Sequence, residues 1–369
     1  MISLPRVQFD VWMLLSPLCL VLIGMALLFS ASFPQDMGAA WLSSPPARQG
    51  LYAVVGFGLL IIAGRIDYRL LGNFAPFLYG LVLFLLALVF LLGVTAHGSR
   101  RWIDLALFPL QPSELAKPIV ALALAKYFSE FRDQIKSFRV LLGSLALVGL
   151  PITMVYLQPD LGTAIVFACM WLGMVVIAGA RLLHLALLGV VTAVSAPFIY
   201  LFLLRTYMQE RLQIFLDPGG DPLGAGYNIL QSEISVGSGG LFGKGLLNGT
   251  QSQLHFLRVQ QTDFIFSVLG EELGFLGAML VFALFLLLLF RGLRVAALAR
   301  DDFGRLVATG IVMALLAQIF INVGVNIRLL PVTGIPLPFL SFGGNSLLSI
   351  MLSLGILQSV YVHRQRADW

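Results

Sequence analysis

The chain is poor in charge. Asp, Glu, Lys and Arg make up 11% of its 369 residues and the apolar set 59%, whereas soluble domains carry roughly 25% charged residues. That shortage excludes a water-soluble globular protein. Cysteine is nearly missing as well: Cys19 and Cys169 both fall within apolar runs, so no disulfide framework is expected. The four histidines, His97, His184, His255 and His363, stand far apart. None has the HxxxH or CxxC spacing of a metal site, so no protein-borne metal centre is expected. The formal net charge is +5, but the basic residues occur in ones to fours between apolar runs. A nucleic-acid groove needs a basic face with interleaved aromatics, and none is present. Also missing are an α/β domain that could hold a nucleotide-sugar donor, an internal repeat, and the paired broken helices of a transporter.

What is abundant is hydrophobic length. Mean hydropathy is +0.94, and runs such as Leu81 to Val94 and Leu280 to Phe290 are free of charge. A charge in hydrocarbon costs ~2.5–3.5 kcal/mol on insertion scales, so these runs read as membrane spans. A helix needs about 20 apolar residues to cross a bilayer. That ruler predicts an all-α integral membrane protein of about ten transmembrane helices. The spans lie near 11–31, 49–66, 73–94, 113–131, 139–157, 161–179, 182–204, 264–290, 304–327 and 345–362. The first is too long for the apolar core of a signal peptide and reads as a retained helix. The fifth and sixth are separated by the polar turn Gln158, Pro159 and Asp160, where proline breaks the helix.

Orientation follows from the basic residues in alternate loops. Arg48, Arg100, Arg101, Arg205, Arg211, Lys244, Arg258 and Arg328 fall on one side and Lys117 within a span. The rest of the 23 Lys and Arg lie on the N-terminal side. The excess predicts cytoplasmic termini. One connection, 205–263, is far longer than the others, glycine-rich and external in this topology. Structureless loops longer than about 12–15 residues are usually functional, so chemistry is expected there.

Asp263 closes that loop in QTDFIFSVLGEELG. Thr262 reads as an N-cap, which puts the carboxylate in the first turn of the eighth span. An acidic first-turn residue completes a helix start. An ionisable group at the mouth of a bundle is equally a functional candidate, able to take a proton from a hydroxyl nucleophile. Glu271 and Glu272 lie two turns deeper, where pairing with a neighbouring helix is expected. Glu114 and Lys117 share a helical face in QPSELAKP. They read either as an intrahelical ion pair or as a ligand for an anionic substrate. The stretch GSGGLFGKG, Gly237 to Gly245, fails the Walker pattern, with Ser238 in place of its first glycine and Gly245 in place of its Ser or Thr. Lys244 with flanking N–H groups reads as a backbone nest for a diphosphate or as a flexible loop lysine. Arg48, Arg100, Arg101, Arg258 and Arg328 complete an outward set of cations suited to lipid headgroups or an anionic lipid-linked substrate.

Several segments resemble the SEDS family (shape, elongation, division, sporulation), and within it the RodA branch. They are LLFSAS (27–32), IDYR (66–69), GSRRWIDL followed by QPSELAKP, QPDLGTA (158–164), DPLGAGYNILQSEISVGSGGLFGKG, NGTQSQLHFL, TDFIFSVLGEELG and LPVTGIPLPFLSFGG (330–344). The resemblance implies a peptidoglycan glycosyltransferase of the bacterial cytoplasmic membrane. Such an enzyme polymerises lipid II into β-1,4 glycan on the outer face and releases undecaprenyl diphosphate. It implies that Asp263 is the general base on the acceptor 4-hydroxyl and that Glu114 and Lys117 form a functional pair. Gln158, Asp160, Arg48, Arg101 and Lys244 are then the expected substrate contacts. It also implies a class B penicillin-binding protein as crosslinking partner, a place in the cell-elongation machinery, and a divalent cation, for which the sequence offers no ligand cluster. Gln261 stands where the family usually has histidine, Arg258 where proline is common, and Asn345 where the family has serine. A flippase of the same precursor and a non-enzymatic scaffold are the competing expectations.

Overall fold

The computed structural model describes residues 8–32, 44–96, 99–104, 109–204, 206–221, 224–254, 256–257 and 259–364. Arg205, His255 and Arg258, together with parts of both chain ends, lie outside the described residues, as does the Arg100 side chain. In chain order the helices are α1 (Trp12–Ser32), α2 (Pro45–Arg65), α3 (Tyr68–Leu92), α4 (Pro112–Glu130), α5 (Phe138–Leu157), α6 (Leu161–Ala178) and α7 (Leu182–Phe198). They continue with α8 (Thr206–Leu216), α9 (Ala225–Ser238), α10 (Thr250–Gln253), α11 (Ile265–Leu298), α12 (Asp302–Asn326) and α13 (Gly344–Val362). Eight of them, α1, α2, α3, α5, α6, α11, α12 and α13, are long and apolar enough to cross a membrane. In α4 the charges of Glu114, Lys117, Lys126 and Glu130 lower the hydropathy. At 17 residues α7 is short, and it runs into a π-helical turn, Ile199–Leu203. The chain is an all-α integral membrane protein.

Burial separates centre from rim. In α12, 78% of the most apolar window is buried and in α13 72%, against 22% in α3. Thus α12 is the axle, with α4, α6 and α11 around it, while α2 lies along α13 and α1 along α11. The rim carries Phe77, Leu91, Leu183 and Val194 bare. Such side chains would be costly in water and are at rest in hydrocarbon. Polar pins hold the ends of the bundle. At the end near both termini, Asp10 pairs with Arg291 and Arg69 with Asp301 at 3.2 Å, while Arg132 meets Asp302 at 2.6 Å.

Two connections depart from the sequence reading. Between α3 and α4 the chain forms a small antiparallel sheet, β1 (Val94–Ala96), β2 (Ser99–Asp104) and β3 (Pro109–Leu110), in the order β1-β2-β3. The long connection 205–263 is not structureless, since it contains α8, α9 and α10.

Candidate functional site

The glycine-rich stretch is a splice rather than a nest. Helix α11 is broken at Gly274, whose φ of 64° and ψ of −163° leave the helical region. A broken helix exposes carbonyls on one side of the break and N–H groups on the other, and in a membrane these must find partners within the protein. The stretch supplies them. Lys244 and Gly245 N–H groups donate to the carbonyls of Glu271 and Glu272 at 3.0 and 2.9 Å. Phe275 and Leu276 N–H groups donate to Gly240 and Leu241 at 2.9 and 3.0 Å. The glycines permit this approach: a Cβ on Gly243 would stand 2.1 Å from the Glu272 carbonyl oxygen, and one on Gly274 2.2 Å from the Gly243 nitrogen.

The expectation that Lys244 binds a diphosphate is corrected accordingly, because the N–H groups of Lys244 and Gly245 are spent on the helix break. The Lys244 ammonium is itself paired with Glu271 at 2.9 Å and donates to Thr250 Oγ1 at 2.8 Å. Glu271 also accepts from the N–H groups of Gln251 and Ser252 at the start of α10, at 2.9 and 3.1 Å. Glu272 accepts from Ser30 of α1. Both acids are fully buried, and these partners are what make that burial tolerable.

Glu114 and Lys117 occupy packed interior. The ammonium meets the carboxylate at 2.7 Å with 6% and 4% of the side chains exposed. Beside Lys117, between α4, α12 and α13, is a cavity of ≈ 10 Å³, room for a single water at most. Pro112 opens α4 and Glu114 lies in its first turn, as the dipole favours. Of the two readings left open, the ion pair is the one present. Lys117 donates to Gln318 Oε1 at 3.1 Å, and Gln318 Nε2 donates to the Pro336 carbonyl at 3.1 Å. The pair therefore reaches the 331–343 loop through Gln318 and offers no open face to a substrate.

Asp263 lies against that loop. Asp263 is half-buried and precedes α11 by two residues. Thr262 is not the N-cap, a place taken by Phe264 without a side-chain bond. The Asp263 carbonyl accepts from Asn322 Nδ2 at 3.1 Å and Asn326 Nδ2 at 2.9 Å. Ser341 Oγ donates to the Thr262 carbonyl at 2.6 Å, and Phe342 N donates to that of Gln261 at 2.8 Å. The carboxylate faces Gly334: a Cβ built there would stand 3.8 Å from Asp263 Oδ2, and φ is +75°. Glycine thus supplies both the turn and the space.

Cations and a second acid surround the other flank of the loop. Arg211, on α8, donates to the Val332 carbonyl at 2.9 Å and lies over Tyr207 with 5.6 Å to the ring centroid. Burial pulls its guanidinium below the ordinary arginine value, and Arg101 pushes the same way, while Tyr207, Asp263 and Asp160 oppose the shift. Arg101, Asp263 and Asp160 are therefore all within electrostatic range of Arg211. Arg101, on β2, donates to the carbonyls of Gln158 and Pro159 and pairs with Asp160 at 3.7 Å. Asp160 caps α6 through Thr163 and accepts from Ser113 of α4 at 3.4 Å. Gln158 Nε2 donates to the Leu86 carbonyl at 2.8 Å, so Gln158 fastens the turn to α3. Thr333 is buried beside this turn, and its Oγ1 has no hydrogen-bond partner among the described residues.

The structure thus gathers Asp263, Arg101 and Asp160 with Arg211, Asn322, Asn326 and Thr333, which the motif reading had not placed at the site. Gly334, in a PVTG stretch opposite an external acid, was the available sequence signal. Arg48 is exposed on the first turn of α2 and Arg328 pairs with Glu233 at 3.4 Å. Among the described residues no group of three or more His, Cys, Asp or Glu can hold a metal ion.

Comparison with known proteins gives the family. The family model described as cell cycle protein, FtsW/RodA/SpoVE, matches residues 10–366. The chain belongs to this family. It is 39% identical over 364 residues to the peptidoglycan glycosyltransferase MrdB of Escherichia coli (strain K12), covering 98% of this chain and 95% of that one. Stage V sporulation protein E of Bacillus subtilis (strain 168) is 38% identical over 361 residues, 95% of this chain and 96% of the other. Among solved structures, the rod shape determining protein RodA of Thermus thermophilus superposes with a TM-score of 0.72 at 28% identity, covering 98% and 99% of the two chains. A chain from a peptidoglycan synthase complex, described for its structural coordination of polymerization and crosslinking, superposes at 0.80 with 30% identity over 96% and 97%.

Proposed function

We propose that the chain is a peptidoglycan glycosyltransferase that polymerises lipid II into β-1,4-linked glycan at the outer face of the bacterial cytoplasmic membrane. Undecaprenyl diphosphate is the leaving group, and Asp263 is the general base that takes the proton of the acceptor 4-hydroxyl. The observation that carries this reading is the half-buried Asp263 carboxylate at the foot of the long external connection, facing Gly334, with Arg211 in electrostatic range of it and Arg101 in range of Arg211. A carboxylate beside cations suits the reaction: the base accepts a proton while the guanidiniums balance charge growing on the departing diphosphate. Relatedness to a peptidoglycan glycosyltransferase over nearly the whole length supports the same chemistry.

Arg101 and Asp160 then form the diphosphate side of the site, with Gln158 holding their turn. Arg48 serves lipid headgroups or the approach of the substrate, and Glu114 and Lys117 shape the 331–343 loop from within. Helices α4 and α7 complete ten crossings, and both termini face the cytoplasm, as the distribution of Lys and Arg favours. The likeness to a chain of a peptidoglycan synthase complex supports a class B penicillin-binding protein as crosslinking partner and a role in cell elongation.

The test is polymerisation of labelled lipid II by the purified protein with and without Asp263→Ala. Polymer from the parent and none from the variant is expected. Full polymerisation by the variant would end the base assignment, whereas lipid II transfer across vesicles without polymer from either protein would favour a flippase.

A further inference from the structure

An α-helix running through Asp263 would close a hydrogen bond from the Ser267 N–H to the Asp263 carbonyl, four residues back. That bond is replaced. The Ser267 N–H is shared between the Phe264 carbonyl at 3.0 Å and Asn326 Oδ1 at 3.1 Å. The Asp263 carbonyl accepts instead from Asn326 Nδ2 at 2.9 Å. One carboxamide, from the last residue of α12, has therefore entered the first turn of another helix, its oxygen on the freed donor and its nitrogen on the freed acceptor.

The surroundings leave the amide one orientation. Ser267 Oγ donates to Asn326 Oδ1 at 2.6 Å, and Asn326 Nδ2 also reaches the Asn322 carbonyl at 2.9 Å. A flipped amide would set oxygen against carbonyl oxygens and nitrogen against an N–H. Ser232 of α9 closes the network, donating to the Asn326 carbonyl at 2.9 Å and lying 2.6 Å from Ser267 Oγ. One turn earlier on the same face of α12, Asn322 Nδ2 bridges the Asp263 carbonyl at 3.1 Å and the Ile335 carbonyl at 2.8 Å. It ties the main chain of the acid to the loop residue next to Gly334, which the carboxylate faces. Both asparagines are buried, where an unpaired amide would be costly.

We infer that Asn326 and Asn322 are positioning residues for Asp263: the Asn326 amide, spliced into the start of α11, keeps Asp263 out of the helix, and Asn322 sets its carboxylate against Gly334. This rests on the reading of Asp263 as the base. Without the splice the Ser267 N–H and Asp263 carbonyl are free to meet, α11 extends back by one residue with Asp263 as its cap, and each residue added rotates about 100° around the axis. The carboxylate then swings away from Gly334, although the substrate-binding cations are untouched.

The experiment is lipid II polymerisation by the full-length protein carrying Asn326→Leu, Asn322→Ala or Asp263→Ala, with kcat, KM, the pH profile of kcat/KM and the thermal midpoint measured together. Asn326→Leu is expected to lower kcat by ~100-fold, the scale of a misplaced catalytic group, with KM within about twofold and the acid limb of the profile displaced. Asn322→Ala leaves the splice in place and is expected to lose about tenfold, which keeps the test alive if Asn326→Leu fails to fold. A rate per folded molecule equal to the parent's, with an unmoved acid limb, overturns the inference. Polymer from Asp263→Ala defeats the base reading and the inference with it; an inactive Asp263→Ala beside full-rate asparagine variants defeats the inference alone.

Discussion

Lys117→Met is the perturbation that separates scaffold from ligand at the α4 pair. The side chains of Lys117 and Glu114 are 6% and 4% exposed and meet at 2.7 Å, with Gln318 as the next partner of the lysine. Methionine keeps the length and apolar stem of lysine but removes the ammonium, leaving a carboxylate in packed interior and Gln318 Oε1 without its donor. Breaking a buried pair from one side costs ~3–5 kcal/mol. With an unfolding entropy of ~2.1 cal/mol/K per residue, the midpoint of a chain this size should fall by about 4–6 °C. Thermal unfolding of the purified protein in detergent is the assay. Lys117→Met with Glu114→Gln, which removes both charges, should recover most of the loss. Polymerisation should fall in the single variant through loosening of the Pro336 loop, with KM for lipid II little changed. An unchanged midpoint together with a KM raised tenfold or more would refute this reasoning and make Lys117 a substrate ligand after all.

The splice at Gly274 predicts that Gly243→Ala is severely destabilising, because its Cβ would stand 2.1 Å from a backbone oxygen at a φ of +78°. Gly237→Ala, where a Cβ meets nothing within 4 Å, should leave the midpoint within about 1 °C, as neutral positions do. Arg211→Ala should lower kcat/KM for lipid II by about 10- to 100-fold, as expected for a charged hydrogen-bond donor beside the reacting groups. Arg211→Lys should restore only part, since a lysine keeps the charge but not the fork that holds Val332; equal activity of all three would remove Arg211 from the site. Asp160→Ala should cost ~1–2 kcal/mol by removing the α6 cap and the Arg101 pair, read as a lowered unfolding midpoint. A cysteine placed at the exposed Phe242 should react with a membrane-impermeant maleimide added outside cells, and one placed at Arg300 should not; the reverse pattern would invert the topology.

Much of the fold was legible in the chain itself. Solvent preference is additive along a segment, so hydropathy by itself announced a membrane protein, and α5 stops at Leu157 where Gln158, Pro159 and Asp160 interrupt the apolar run. The pairing of Glu114 with Lys117 was legible as helical spacing, and Asp263 as an acid at the mouth of a span. The break in α11 was not, since it depends on backbone partners offered by a segment some thirty residues earlier, and glycine content cannot say which carbonyl a glycine must approach. Lys244 looked available for an anion for the same reason: its sequence neighbours do not include Glu271, its actual counter-ion. Arg211, Asn322 and Asn326 carried no motif, and α12 reads as an ordinary apolar helix whose amides have no evident partner. Composition and periodicity decide which residues leave water, because that is a property of each side chain. Which buried polar group meets which is a property of two segments brought together, and here the packing of α12 against α11 and the 331–343 loop decided where the acid points.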